Sequence, residues 1–83
     1  MKSVEYRPRA LKALAKMPRS TAARIRSKID AYAADSASQT NNVKALKGTP
    51  GGIRLRVGDW RVIMEDGVVL VIMRIGPRGG FYE

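Results

Sequence analysis

The hydrophobic period of this chain changes at one point. Up to Ala33, apolar residues recur every three or four positions; after the break Gly48-Thr49-Pro50-Gly51-Gly52 they recur every two. The longer repeat belongs to a helix with one buried face, the shorter to a strand with one buried face. In a chain of 83 residues there is room for one domain, residues 1–83, and a modest core. Helices followed by strands, each with a single apolar face, predict an α+β fold in which two N-terminal helices pack on a small antiparallel sheet.

The first helix is predicted from Pro8, whose missing N–H costs nothing in a first turn, to the stop at Pro18. Ala10, Leu11, Leu14 and Met17 form its apolar stripe, with Lys12 and Lys16 on the other side. Ser20 or Thr21 is the expected cap of a second helix, in which Ala22, Ile25, Ile29, Tyr32 and Ala33 make the cleanest helical repeat of the chain. Ser3 to Tyr6 reads as an edge strand, Asp35 to Asn42 as a polar loop, and Val43 to Lys47 as a further turn.

In the second half Ile53, Leu55 and Val57 alternate with Arg54 and Arg56, and Trp60, Val62 and Met64 alternate with Arg61, Ile63 and Glu65. Gly58-Asp59 joins these runs tightly, and Asp66-Gly67 signals the next hairpin. Val68 to Ile75 is nearly continuous apolar and β-branched, the composition of an inner strand, and Gly76-Pro77 ends it. The expected order is β-α-α-β-β-β. The helices cover one sheet face; the other carries arginines and is at least partly open.

Charge narrows the function. There are 16 Lys and Arg against 7 Asp and Glu, a net charge of +9, which attracts polyanions or an acidic protein. Cysteine and histidine are absent. No thiolate chemistry is available, the commonest neutral-pH acid/base group is missing, and the scattered acids give poor support to a metal site or any other cofactor. No stretch approaches the roughly 20 apolar residues of a membrane span, and the start MKSVEYRPRA lacks a signal-peptide core, so a cytoplasmic protein is expected.

The candidate site is the group Arg54, Arg56, Arg61, Arg74 and Arg78, with Lys47 beside it. Arg54 and Arg56 share a strand face, and the hairpin at Gly58-Asp59 brings Arg61 alongside. Guanidinium forks grip phosphate oxygens bidentately; the alternative is that these side chains only solubilise an exposed sheet face. Trp60 shares the phase of Val62 and Met64 and reads as packing, as does Tyr32 on its helical stripe. Tyr82, beyond Gly79-Gly80, stands where its hydroxyl can reach a phosphate or ribose.

The opening YRPRALKALAKMP, the turn VKALKG, the segment IRLRVGDWRVIMED and the ending VIMRIGPRGGFY together resemble the RelE/ParE superfamily of toxins from type II toxin–antitoxin pairs. The resemblance spans nearly the whole chain. It implies a cytoplasmic toxin held by a co-expressed antitoxin, acidic and DNA-binding, that wraps over it. It also implies one of two activities. RelE-like members cut mRNA in the A site of the bacterial 70S ribosome; ParE-like members poison DNA gyrase. A binding-only relative with decayed chemistry is a third possibility.

Carried over residue by residue, the nuclease branch assigns Arg61 to the scissile phosphate, Arg54 and Arg56 to the sheet cations, Arg78 to the cation after the last strand and Tyr82 to the C-terminal tyrosine near the attacking ribose. A further family lysine falls on Gly52. The implied reaction needs no metal: the RNA 2′-hydroxyl attacks the adjacent phosphorus in line, leaving a 2′,3′-cyclic phosphate and a free 5′-hydroxyl. Arg61 would meet the charge growing on the phosphoryl oxygens with Arg56 assisting, Arg54 and Arg78 would position the backbone or leaving oxygen, and Tyr82 would orient the 2′-hydroxyl or take its proton. The remaining cations, Lys47 and Arg74, would hold substrate.

Overall fold

A computed structural model describes residues 2–77. Its elements run β1 (Val4–Tyr6), α1 (Pro8–Lys16), α2 (Arg19–Ala34), a 3₁₀ helix over Ser36–Asn42, β2 (Val43–Ala45), β3 (Gly52–Val57), β4 (Trp60–Asp66) and β5 (Leu70–Pro77). The α+β class and the two helices on a sheet are as expected.

Pro8 opens α1 at its first position. Pro18 forces Met17 out of the helical region (φ −104°, ψ 162°) and so ends it. The second helix starts ahead of the Ser20/Thr21 cap expected for it, because the Pro18 carbonyl already accepts the Ala22 N–H at 3.0 Å. α1 lies over β5 and α2 over β3. Their buried side chains, Ala10 and Leu14 from α1 and Ile25, Ile29, Tyr32 and Ala33 from α2, meet Leu55, Val57, Val62, Met64, Leu70, Ile72 and Ile75 of the sheet. Ile25 and Ile29 are both 0% exposed.

The sheet is larger than the meander expected, and it is mixed. Its strand order is β1-β5-β4-β3-β2; β1 pairs parallel with β5, and the other neighbours pair antiparallel. Residues 43–45, read as a turn, form an edge strand because Val43 and Ala45 pair with Leu55 and Ile53 of β3. The polar segment before it, read as loop, coils into the 3₁₀ helix, where the Ser38 and Thr40 hydroxyls donate to the carbonyls of Asp35 and Ala37 at 2.7 Å each.

β5 begins two residues later than its composition suggests. Asp66 pairs with Leu70, so Gly67 to Val69 make the loop, and Val68 is left 95% exposed. Further along, Ile63 is opposite Arg74 while Met64 is opposite Ile72, which leaves Met73 as an extra residue in β5. Strict alternation from Leu70 and Ile72 would send Arg74 into the core. The bulge reverses the phase, so that Ile75 is buried and Arg74 emerges on the face away from the helices.

One polar cluster ties the far ends together. Lys2 forms an ion pair with Asp66 at the end of β4, and the Tyr32 hydroxyl donates to the same carboxylate at 2.6 Å. These two bonds, Lys2 first, hold the Asp66 carboxyl below its usual range. Burial, and secondarily the bond to Asp66, pushes the Tyr32 hydroxyl up to about 12. None of the described helices is long and apolar enough to cross a membrane.

Candidate functional site

The sheet face away from the helices is built by the alternate residues of each strand. Register places Lys44, Arg54, Ile63 and Arg74 in one row across β2, β3, β4 and β5, and Arg56, Arg61 and Gly76 in the next. Four cations of different strands therefore converge with Arg56 on one surface. Gly76 contributes no side chain beside Arg61 and is itself buried.

The turn that sets this register is Gly58-Asp59. Gly58 has φ +59°, a conformation free of strain only for glycine, and a Cβ there would lie 2.8 Å from the Arg24 guanidinium of α2. Arg61 is folded back onto the same hairpin: its Nη1 donates to the Gly58 carbonyl at 3.0 Å and the Trp60 carbonyl at 2.9 Å. Those two bonds fix the plane of the guanidinium and leave its other N–H groups to point elsewhere. Arg56 Nη2 makes a long bond, 3.4 Å, to Asn42 Oδ1. Asn42, Lys44, Arg54, Arg56 and Arg61 enclose a shallow basic cavity of about 380 Å³.

A larger cleft of about 540 Å³ adjoins it. Ile63, Met73, Glu65 and Arg74 of the sheet form its floor; Leu46 and Thr49 stand on one side and Arg7 and Arg9, at the start of α1, on the other. Its lining combines the apolar side chains of Leu46, Ile63 and Met73 with Arg7, Arg9, Arg74 and the carboxylate of Glu65.

Of the residues singled out from sequence, Arg54, Arg56, Arg61 and Arg74 are brought together. Lys47 is not: it sits exposed in the turn after β2 and lines neither cavity, because β2 ends at Ala45 and the chain turns away. The cation that the sheet does supply there is Lys44, and the Val43-Lys44-Ala45 alternation was its only signal. Arg78 and Tyr82 lie outside the described residues. The departure at Gly52 has a structural reason. A Cβ at that position would lie 2.8 Å from Thr49 Cγ2, so the 48–51 turn occupies the room a lysine would need. Trp60 and Tyr6 are half-buried against the core, and Arg26 stacks over the Tyr6 ring at 4.9 Å. No group of His, Cys, Asp and Glu that could hold a metal ion occurs among the described residues.

Residues 4–80 match the family described as ParE toxin of type II toxin-antitoxin system, parDE. Among solved structures, the fold is similar to a chain of the archaeal RelE-RelB complex from Pyrococcus horikoshii OT3, with a TM-score of 0.80 and 27% identity over 95% of this chain and 97% of that one. It is similar to a chain of the intact Escherichia coli RelBE toxin-antitoxin complex (TM-score 0.76, 18% identity, 95% and 99% covered). A chain of the RelB-RelE complex from Methanococcus jannaschii also matches (TM-score 0.69, 24% identity, 94% of each chain). A comparison with curated protein sequences found no match. The family match along almost the whole chain, on a fold shared with RelE, shows that this protein belongs to the RelE/ParE superfamily of type II toxin–antitoxin toxins.

Proposed function

We propose that this toxin is a ribosome-dependent mRNA endonuclease whose open sheet face receives the RNA backbone. The observation that carries the reading is the convergence of Lys44, Arg54, Arg56, Arg61 and Arg74 on one surface. Five cations on one face suit successive phosphates of a single strand. Arg61, steadied by two carbonyls, is the donor best prepared to meet charge on a phosphoryl oxygen without reorganising. Arg56 assists from directly opposite; Arg54 and Arg74 hold the flanking backbone. The sequence-based assignments of Arg78 and Tyr82 complete the set, with Tyr82 orienting the 2′-hydroxyl. Tyrosine titrates near 10 and arginine above 12, so neither is a good base at neutral pH. The ribosome would supply much of the in-line geometry.

The partner that silences this face is a RelB-type antitoxin, the kind of molecule found with RelE in the similar complexes. A +9 chain calls for an acidic one, which charge would bring to it quickly while apolar anchors hold it. The parDE description of the matching family favours a second reading, inhibition of DNA gyrase by the same fold.

A translating-ribosome assay with end-mapping of the mRNA, run beside a supercoiling assay with purified gyrase, separates the two. Cuts in A-site codons with intact gyrase activity are expected. Uncut mRNA together with trapped gyrase–DNA breaks would replace the first reading by the second.

A further inference from the structure

We propose that Glu65 reads a guanine base seated in the 540 Å³ cleft beside the cationic rows, an inference that rests on the RNA reading above. β4 presents Arg61, Ile63 and Glu65 at alternate positions on its open face, about 6.8 Å apart from one to the next, comparable to the backbone reach of one nucleotide. A strand that places a phosphate at the Arg56–Arg61 row therefore brings the neighbouring base over Ile63, with its edge toward Glu65.

The cleft suits a base in three respects. Its volume falls within the range of small-ligand sites, roughly 300–1,000 Å³. Ile63 and Met73 offer an apolar bed for one ring face. Arg7, Arg9 and Arg74 line it with guanidinium planes, which stack on bases as aromatic rings do.

Glu65 supplies the selection. It is exposed, and among the described residues it has no ion-pair partner. A carboxylate only accepts hydrogen bonds. Guanine is the base whose Watson–Crick edge carries two adjacent donors, the N1–H and the 2-amino group, which match two carboxylate oxygens. Adenine and cytosine set one amino group beside an acceptor. Uracil sets a single N–H between two carbonyl oxygens, which a carboxylate repels. The same charge disfavours an acidic protein segment as occupant of this cleft, although its arginine rim alone would welcome one.

The test is fluorescence anisotropy of the full chain with labelled ribopentamers: UUGUU, UUUUU, and UUIUU, in which inosine lacks the 2-amino group. The wild-type chain should bind UUGUU about 10-fold or more tightly than UUUUU, with UUIUU between. Glu65→Gln, a change at an exposed position that keeps the fold, should erase most of that preference, because an amide presents one acceptor and one donor. Equal binding of the three pentamers by the wild-type chain, or an undiminished guanine preference in Glu65→Gln, overturns the proposal and leaves RNA binding standing. No binding of any pentamer overturns it together with the RNA reading. Guanine selectivity in a chain that cuts no mRNA upholds the base pocket and rejects only the nuclease. If Glu65→Gln leaves base preference unaltered and tightens binding of an acidic amphipathic peptide, the cleft belongs to a protein partner and the proposal falls.

Discussion

Arg56 on β3 and Arg61 on β4 are direct cross-strand partners. Like charges in that relation work against a hairpin. The two carbonyls that hold the Arg61 guanidinium offset part of the repulsion, and the open face lets water screen the rest. We expect Arg56→Thr to raise stability in urea denaturation by about 0.2–1 kcal/mol and to weaken RNA binding. A lower urea midpoint would mean that Arg56 holds the sheet together, and would remove the case for a pair kept for its ligand.

The salt dependence of RNA binding measures how many of these cations meet phosphates. If Lys44, Arg54, Arg56, Arg61 and Arg74 all do, the slope of log K against log salt for a single strand is about −3.5, from about −0.7 per contact. Replacing Lys44 by Gln should flatten it by about 0.7. Replacing Lys47, which lines neither cavity, should leave the slope alone. The opposite pattern would return Lys47 to the site in place of Lys44.

Arg61→Ala should slow mRNA cleavage on the ribosome by about 100–1000-fold, by comparison with the loss of a single oxyanion donor elsewhere. Toxin association with the ribosome, followed by co-sedimentation, should fall far less. A variant that binds poorly but cuts normally once bound would make Arg61 a docking residue.

Asp66 and Tyr32 set opposite pH limits on stability. The folded carboxyl of Asp66 titrates below its unfolded value, so its contribution is present above about pH 4 and is lost as the pH falls through the folded value. Tyr32 titrates above its unfolded value, at about 12, so its contribution is complete below about pH 10 and is lost as the pH rises toward the folded value. Thermal melts should show a plateau between those limits and a decline on both sides. Tyr32→Phe should cost about 1.5 kcal/mol and remove the alkaline decline. A variant that keeps the wild-type decline would place its cause in another group.

Ile25 and Ile29 are fully enclosed between α2 and the sheet. Truncation of either to alanine should cost about 2–5 kcal/mol, read from denaturant midpoints, and should reduce toxicity in cells through loss of folded protein. A cost below about 1 kcal/mol would show that the helix and sheet close over the gap, which dense native packing ordinarily resists.

The parts of this fold that could be read in advance are those with a local period. Ile25, Ile29 and Tyr32 announce a buried helical face, and Leu55, Val57, Val62 and Met64 announce a buried sheet face, because each pattern repeats often enough to define a direction. The Arg54, Arg56 and Arg61 grouping follows from the same alternation and one tight turn. What escaped depends on partners distant in sequence. Val43–Ala45 is too short to display a period and becomes a strand only by pairing with β3. The parallel pairing of Val4–Tyr6 with β5 has no local mark. Val68 is β-branched, yet it lies in a loop because Asp66 closes onto Leu70. The cleft unites Arg7 and Arg9 with Leu46, Glu65 and Arg74, residues that no single window of sequence contains.

The extra residue at Met73 makes β5 answer to two rules along its length. Ahead of it, even-numbered positions are wall; beyond it, odd-numbered ones are, and Arg74 is released to the solvent side. Pairing with β4 in unbroken alternation, with Met73 kept in the ladder, would turn the far half inside out, driving a guanidinium into the hydrocarbon interior and Ile75 into water. Deleting Met73 would instead straighten the strand with its faces kept, Ile72 inward, Arg74 outward and Ile75 inward. The spacing between Ile72 and Ile75 is where the folding code and the working surface of this toxin are written in the same residues.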